Sequence, residues 1–235
     1  MNETVKQIIQ NATAAGRASL SEHDSKQVIA DFGAPTAPER LTHSAQEALD
    51  AAAELGYPVA LKACSPDARH KKEMRLVELA LADEAAVRVA YQQLEQRAAG
   101  ISLEGILVQP MVRGERELLL GMTRVTGFGV CVTVGLGGIF AEALKDVAVR
   151  VAPLDEADAR DMLAQLRGAA VLGALRGLVP ADTGALVRAL MGLGRLGLEH
   201  SEIKEVDVNP IIIGPDGSVA AVDALVILET SGGAA

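Results

Sequence analysis

The stretch that most constrains the fold is Val132–Asp146, VTVGLGGIFAEALKD. Gly127–Val134 is rich enough in Val and Thr to form a buried strand, and Gly135, Gly137 and Gly138 follow at once. Without a Cβ, those glycines let the backbone turn sharply and come close to another group. Glu142, Lys145 and Asp146 then place three charges beside a very apolar segment. That combination reads either as a phosphate or metal site or as a surface turn with solvated charges. Two common phosphate loops are excluded. The chain has no Gly-Lys dipeptide, hence no Walker A loop, and Phe140 stands where a dinucleotide fingerprint needs its third glycine.

A chain of 235 residues forms one large domain or two small ones. Aromatics are only 2% of it, so the core must be built from Ala, Val, Leu and Ile. The net charge of −9 argues against a nucleic-acid partner. Cys64 and Cys131 lie far apart in apolar runs and read as small core residues in a reducing compartment. No apolar run approaches a membrane span and no signal-peptide pattern opens the chain, so the expected location is cytoplasmic.

Helical spacing predicts helices over Glu3–Ala15, from Ser21 to Gly33, from Ser44 to Gly56, from Asp83 to Ala99, from Asp155 to Arg167 and from Asp182 onward. In the first turns, Ser21 with Asp24 resembles a capping box and Ser44 with Glu47 caps the third helix. The last helix contains Gly184, Gly192, Gly194 and Gly197, so it should be broken or closely packed. Strands are predicted at Tyr57–Cys64, Arg75–Leu81, Ile106–Val112 and Glu117–Met122. A hairpin follows, Ile203–Ile213 and Ser218–Leu228 about a turn at Gly214–Gly217. The class is α/β or α+β. The expected division is an N-terminal helix (1–19), a first subdomain (20–105), a second (106–229) and a disordered tail (230–235).

Within the hairpin, strand alternation puts Asp207 and Asn209 on one face, opposite Val206 and Val208, with Asp223 across from Asn209. Hard oxygen donors in such apolar surroundings suit Mg²⁺, although an exposed sheet face would show the same pattern. Lys62 is the one cation of its strand and could neutralise a phosphate, or could simply snorkel. His70 lies between Arg69 and Lys71 in a polar turn, where most histidines are solvated.

Taken in order, YPVALK, SPDARHK, ILVQPMVRGERELLLGM, GLGGIFAEALKDVAVRVAPL and EVDVNPI resemble the ATP-grasp domain of the NDP-forming acyl-CoA synthetases, over about Leu20 to Leu228. The resemblance implies an ATP-grasp fold of two subdomains with the nucleotide between them. It also implies interconversion of acid, ATP and CoA with acyl-CoA, ADP and phosphate through acyl-phosphate and phosphohistidine intermediates. By the same resemblance, Lys62 contacts ATP phosphates, Gln109–Val112 (with Met111 at its centre) is the hinge whose backbone reads adenine, and Glu117 helps hold the nucleotide. Gly137 and Gly138 form the phosphate-approaching turn. Glu142, Asp207 and Asn209 hold Mg²⁺, Lys145, Asp146 and Arg150 complete the phosphate region, and His70 matches the histidine of an HK motif that relays phosphoryl.

CoA- and acid-binding domains are not recognisable, which implies the nucleotide-binding (beta) subunit of a hetero-oligomer whose CoA-binding alpha-type partner brings the main phosphohistidine. Two departures stand out. Arg75 and Leu76 occupy the place of a Gly-Gly pair, where large side chains should hinder a loop from covering phosphates, and Leu225 replaces an expected arginine. They support one alternative, a degenerate, non-catalytic ATP-grasp subunit; the unrecognised CoA domain permits another, an ATP-grasp ligase acting on another carboxylate without CoA, against which the HK motif argues.

Overall fold

The structure, a computed structural model, describes residues 3–66, 74–138, 145–175 and 177–229. The chain divides into two compact units. The larger comprises Met1–Leu20, Asp24–Thr36 and Val112–Ala235, the smaller Ser21–His23 and Ala37–Met111.

The smaller unit is built on a four-stranded antiparallel sheet. Its strands are β1 (Arg40–Thr42), β2 (Val59–Cys64), β3 (Val77–Leu81) and β4 (Gly105–Pro110), in the spatial order β1-β4-β2-β3. Two helices, α3 (Ala45–Leu55) and α4 (Glu84–Arg97), cover one face. Both start where polar side chains satisfy orphan amides: Ser44 accepts from the Glu47 N–H and Asp83 from the Ala86 N–H. Ala52, Leu61, Val87, Leu94, Ile106 and Val108 are among the residues that pack between the two layers. β2 lies between β3 and β4 and is buried along its whole length. Everything polar on it therefore needs a partner.

The larger unit holds five strands in one path, β10-β8-β5-β6-β7: β5 (Arg116–Val125), β6 (Gly129–Leu136), β7 (Val147–Val151), β8 (Ile203–Ile213) and β10 (Leu225–Leu228). A sixth, β9 (Val219–Ala221), pairs with β8. All pairings between these strands are antiparallel. Helices α1 (Glu3–Ala14), α5 (Glu156–Gln165) and α6 (Thr183–Glu199) contribute to the same core as Leu118, Leu120, Val132, Val134, Val206 and Val208. α2 (Glu22–Asp31) adds Val28 and Ile29.

α6 runs unbroken through its glycines, which serve close packing, the second of the two expectations for it. A Cβ on Gly192 would overlap the Phe32 carbonyl, and one on Gly197 would crowd Met122 and Val130. β7 was not legible as a strand, because Val147–Val151 has Arg150 and follows charged residues. The returning arm of the hairpin is interrupted at residues 222–224. Its register is nevertheless common to both sides of the gap, Ile211 facing Ala221 and Asp207 facing Leu225, so Asn209 stands level with Asp223. Among the described residues no helix is long and apolar enough to cross a membrane.

Candidate functional site

In the larger sheet, residues paired across antiparallel strands share a face, so the ladder defines a floor. One row runs Leu225, Asp207, Gly121, Thr133, Val149. The next contains Leu119, Gly135 and Val147. This face is opposite Val206, Met122 and Val132, which are buried in the core. Its centre carries Gly121 and Thr133, both small, while the Leu119 and Val147 side chains close over buried Gly135. Asp207 and Asn209 rise on one side; Val147 and Val149, both about half exposed, lie on the other.

Asp207 meets solvent in part, yet burial of its carboxyl, and then the charges of Glu205 and Asp223, push it up to about 6. A carboxyl crowded by two others is ready to accept a cation. Asp207 and Asn209 fit as two hard oxygen donors for Mg²⁺. Glu142, the third expected ligand, lies outside the described residues, as does His70. Among the described residues no group of three His, Cys, Asp or Glu converges on a metal position.

The glycine turn is anchored at the end of this floor. The Gly137 amide donates to the Glu117 carbonyl at 2.7 Å, and a Cβ on Gly137 would come within 3.0 Å of Glu117 atoms. This N–H is therefore committed to the fold and is not offered to a phosphate. Gly138 has φ 79°, and its Cβ position lies 3.8 Å from the Glu117 carboxylate, so the turn and Glu117 form one corner. A cavity of about 750 Å³ opens there, lined by Arg113, Arg116, Glu117, Gly137, Leu175 and Ile213 among others. Arg116 is buried and donates to the carbonyls of Val171, Gly173, Val179 and Gly214; its Nε has no partner among the described residues. It ties residues 171–179 to the sheet end. Neither Arg113 nor Arg116 is singled out from sequence, because cations in the charged run VRGERE read as solvated.

The other expected phosphate-region residues are placed differently. Asp146 is buried, and its two oxygens accept the Arg167 and Gly168 amides at 2.8 Å each. Those amides, Gly168 first, hold its carboxyl below the usual range, and the Arg167 charge adds to them. Asp146 is thus a tether between β7 and the end of α5, and not a group aimed at substrate. Arg150 shares the face of Ala148 and Val132, opposite that of Asp207. Lys145 is exposed, with φ 45°.

In the smaller unit, Lys62 is buried on β2, and its Nζ lies 2.7 Å from Glu22 Oε1 and 3.3 Å from Gln109 Oε1. Sequence alone brought Lys62 and Gln109 to notice but missed Glu22, which reads there as an ordinary first-turn acid. In the expected hinge, the Met111 amide donates to the Pro58 carbonyl at 3.0 Å, so it is committed within the unit. Val112 opens the larger unit. Leu76 corrects a further expectation. It is wholly buried, with Ala63 and Ala98, so it is not a side chain standing in the path of a phosphate. Arg75 is exposed and adopts φ 54°, with its carbonyl accepting from Arg97 at 2.9 Å. The conformation that a glycine favours is therefore kept by an arginine.

The chain belongs to the ATP-grasp domain family, whose model matches residues 11–228. It is 36% identical, over 94% of its length and 97% of the relative's, to the beta subunit of ADP-forming acetate–CoA ligase II of Pyrococcus furiosus. A dinucleotide-forming acetyl-coenzyme A synthetase 1 of Ca. Korarchaeum cryptofilum, solved with coenzyme A and Ca-AMPCP, superposes with a TM-score of 0.89. It is 39% identical, and the match covers 95% of this chain and 99% of that one. PH1788 of Pyrococcus horikoshii superposes with a TM-score of 0.91 at 33% identity, over 98% of this chain and 100% of that one.

Proposed function

We propose that this chain is the nucleotide-binding (beta) subunit of an ADP-forming acyl-CoA synthetase. It transfers phosphoryl between ATP or ADP and a histidine or acyl-phosphate intermediate, so that acid, ATP and CoA give acyl-CoA, ADP and phosphate. The observation that carries the reading is the sheet face, with Asp207 and Asn209 on one side and the corner of Glu117, Gly137 and Gly138 at its end. A floor of small and apolar residues beside crowded carboxylates suits a nucleotide whose phosphates arrive with a divalent cation.

Each residue then has a physical task. Glu117 holds the nucleotide, Gly138 gives the turn its left-handed bend, and Gly137 lets that turn pack on Glu117. Lys62 neutralises phosphate charge, kept in place by Gln109. Lys145 adds a cation, and Asp146 sets the start of β7. Mg²⁺, when held by Asp207, Asn209 and Glu142, supplies charge neutralisation at the transferred phosphoryl. Phosphoryl transfer depends mostly on such positioning and neutralisation. His70 is the proposed relay.

The partner is a CoA-binding alpha-type subunit, and the location cytoplasmic. In Archaeoglobus fulgidus, acetate–CoA ligase [ADP-forming] I is 34% identical over 96% of this chain, and the match spans only 33% of that protein. The burial of Leu76 weighs against one of the three departures behind a degenerate, non-catalytic subunit; Arg75 and Leu225 remain as the others.

The test has two arms. Asp207→Ala should weaken Mg-ADP binding in calorimetry by about tenfold or more while the fold, read by circular dichroism, is kept. The purified chain should make no acyl-CoA from acetate, ATP and CoA until an alpha-type subunit is added. Unchanged Mg-ADP affinity removes Asp207 from the site; unaided turnover overturns the subunit assignment.

A further inference from the structure

Lys62 poses a problem that its strand cannot solve. β2 is flanked on both sides, Lys62 facing Val77 on β3 and Leu107 on β4, so its backbone is fixed and its side chain is only 8% exposed. A buried ammonium without a counter-charge would lose its proton or swing its long stem to solvent. The Glu22 carboxylate, with a side chain 0% exposed, answers it at 2.7 Å. Glu22 is the first residue of α2, where the helix dipole favours a negative charge. Gln109, on the same sheet face as Lys62 and one diagonal step away, accepts at 3.3 Å.

We infer that Glu22 is a positioning residue for phosphoryl transfer: it acts on the nucleotide only through Lys62, by fixing where that ammonium points. Two acceptors, Glu22 and Gln109, limit the directions the ammonium can take. A lysine stem carries considerable rotamer freedom, and holding it before the phosphates arrive removes a cost from binding. The inference rests on the proposed role of Lys62 at the phosphates.

A double-mutant cycle tests it, because two residues acting as one unit are non-additive. Four full-length chains are compared: parent, Glu22→Gln, Lys62→Met and the double variant. Thermal unfolding without nucleotide checks each fold, and calorimetry gives the affinity for Mg-ADP. Glu22→Gln should weaken binding by about tenfold or more, the scale seen when a supporting partner of a binding group is lost. In the Lys62→Met background the same change should cost less than about twofold. If Glu22→Gln fails to fold, Glu22→Asp carries the same test, since it keeps the charge and withdraws it by one methylene.

Equal losses in both backgrounds would mean a purely structural Glu22 and overturn the inference. So would full affinity in Glu22→Gln, or in Glu22→Asp where that variant stands in for it, beside weakened binding in Lys62→Met, a result that leaves Lys62 at the phosphates. Full affinity in Lys62→Met removes Lys62 from the nucleotide site, and the positioning role falls with it.

Discussion

Leu76→Ala tests whether the departure from a Gly-Gly pair is a defect at the phosphates or a piece of core. Leu76 is 0% exposed and packs with Ala63 and Ala98, with Ile101 and Leu103 against them. Removing three carbons forfeits about 2.4 kcal/mol of transfer free energy at about 0.8 kcal/mol each. Ala63 and Ala98 reach the gap with single methyl groups on backbone held by β2 and the end of α4, so little collapse is available. If about 40 Å³ stays unfilled, the cavity adds about 1 kcal/mol. The expected loss is therefore about 3 to 3.5 kcal/mol.

Arg75→Gly should behave in the opposite way. Releasing a non-glycine residue from φ 54° returns about 1 kcal/mol, and the extra freedom of glycine in the unfolded chain offsets much of it. Its net effect should stay within about 1 kcal/mol of zero. Urea unfolding followed by far-UV circular dichroism reads both variants on one scale. A Leu76→Ala cost under about 1 kcal/mol, or an Arg75→Gly cost matching it, would refute the reasoning.

Other outcomes follow from single contacts. Asp146 is held below the ordinary carboxylate range by the Gly168 and Arg167 amides, so its contribution is present above about pH 4 and fades as pH falls through its depressed value. Asp146→Asn should thus destabilise by about 1–3 kcal/mol at pH 7, with the difference from the parent shrinking in acid; a pH series of urea melts measures it. Arg116→Leu strips the carbonyls of Val171, Gly173, Val179 and Gly214 of their shared donor, and limited proteolysis should cut within residues 171–179 first. Gly192→Ala should cost about 2 kcal/mol or more in urea, since the new methyl overlaps the Phe32 carbonyl and either α6 or that carbonyl must move.

Local signals in the chain determined most of the elements, because each is settled by neighbours in sequence. Ser44 and Asp83 cap their helices as their spacing predicted, and Asp155 with Asp158 forms a capping box. Alternation put Asp207 and Asn209 opposite Val206 and Val208, and the hairpin register put Asn209 level with Asp223. The order of motifs was sufficient to identify the ATP-grasp family. What sequence could not decide was the direction and partner of individual side chains, which depend on elements far apart in the chain. Lys62 meets Glu22 across 40 residues, and Asp146 meets Gly168 across 22. Leu76 turns inward because Ala63 and Ala98 leave room for it, and no local pattern records that space. Arg150 falls on the face opposite Asp207 because of the pairing of β7 with β6, a strand its own residues did not announce. Periodicity is a property of consecutive residues and survives in the sequence; charge compensation and packing are properties of the assembled chain, and only the tertiary structure fixes them.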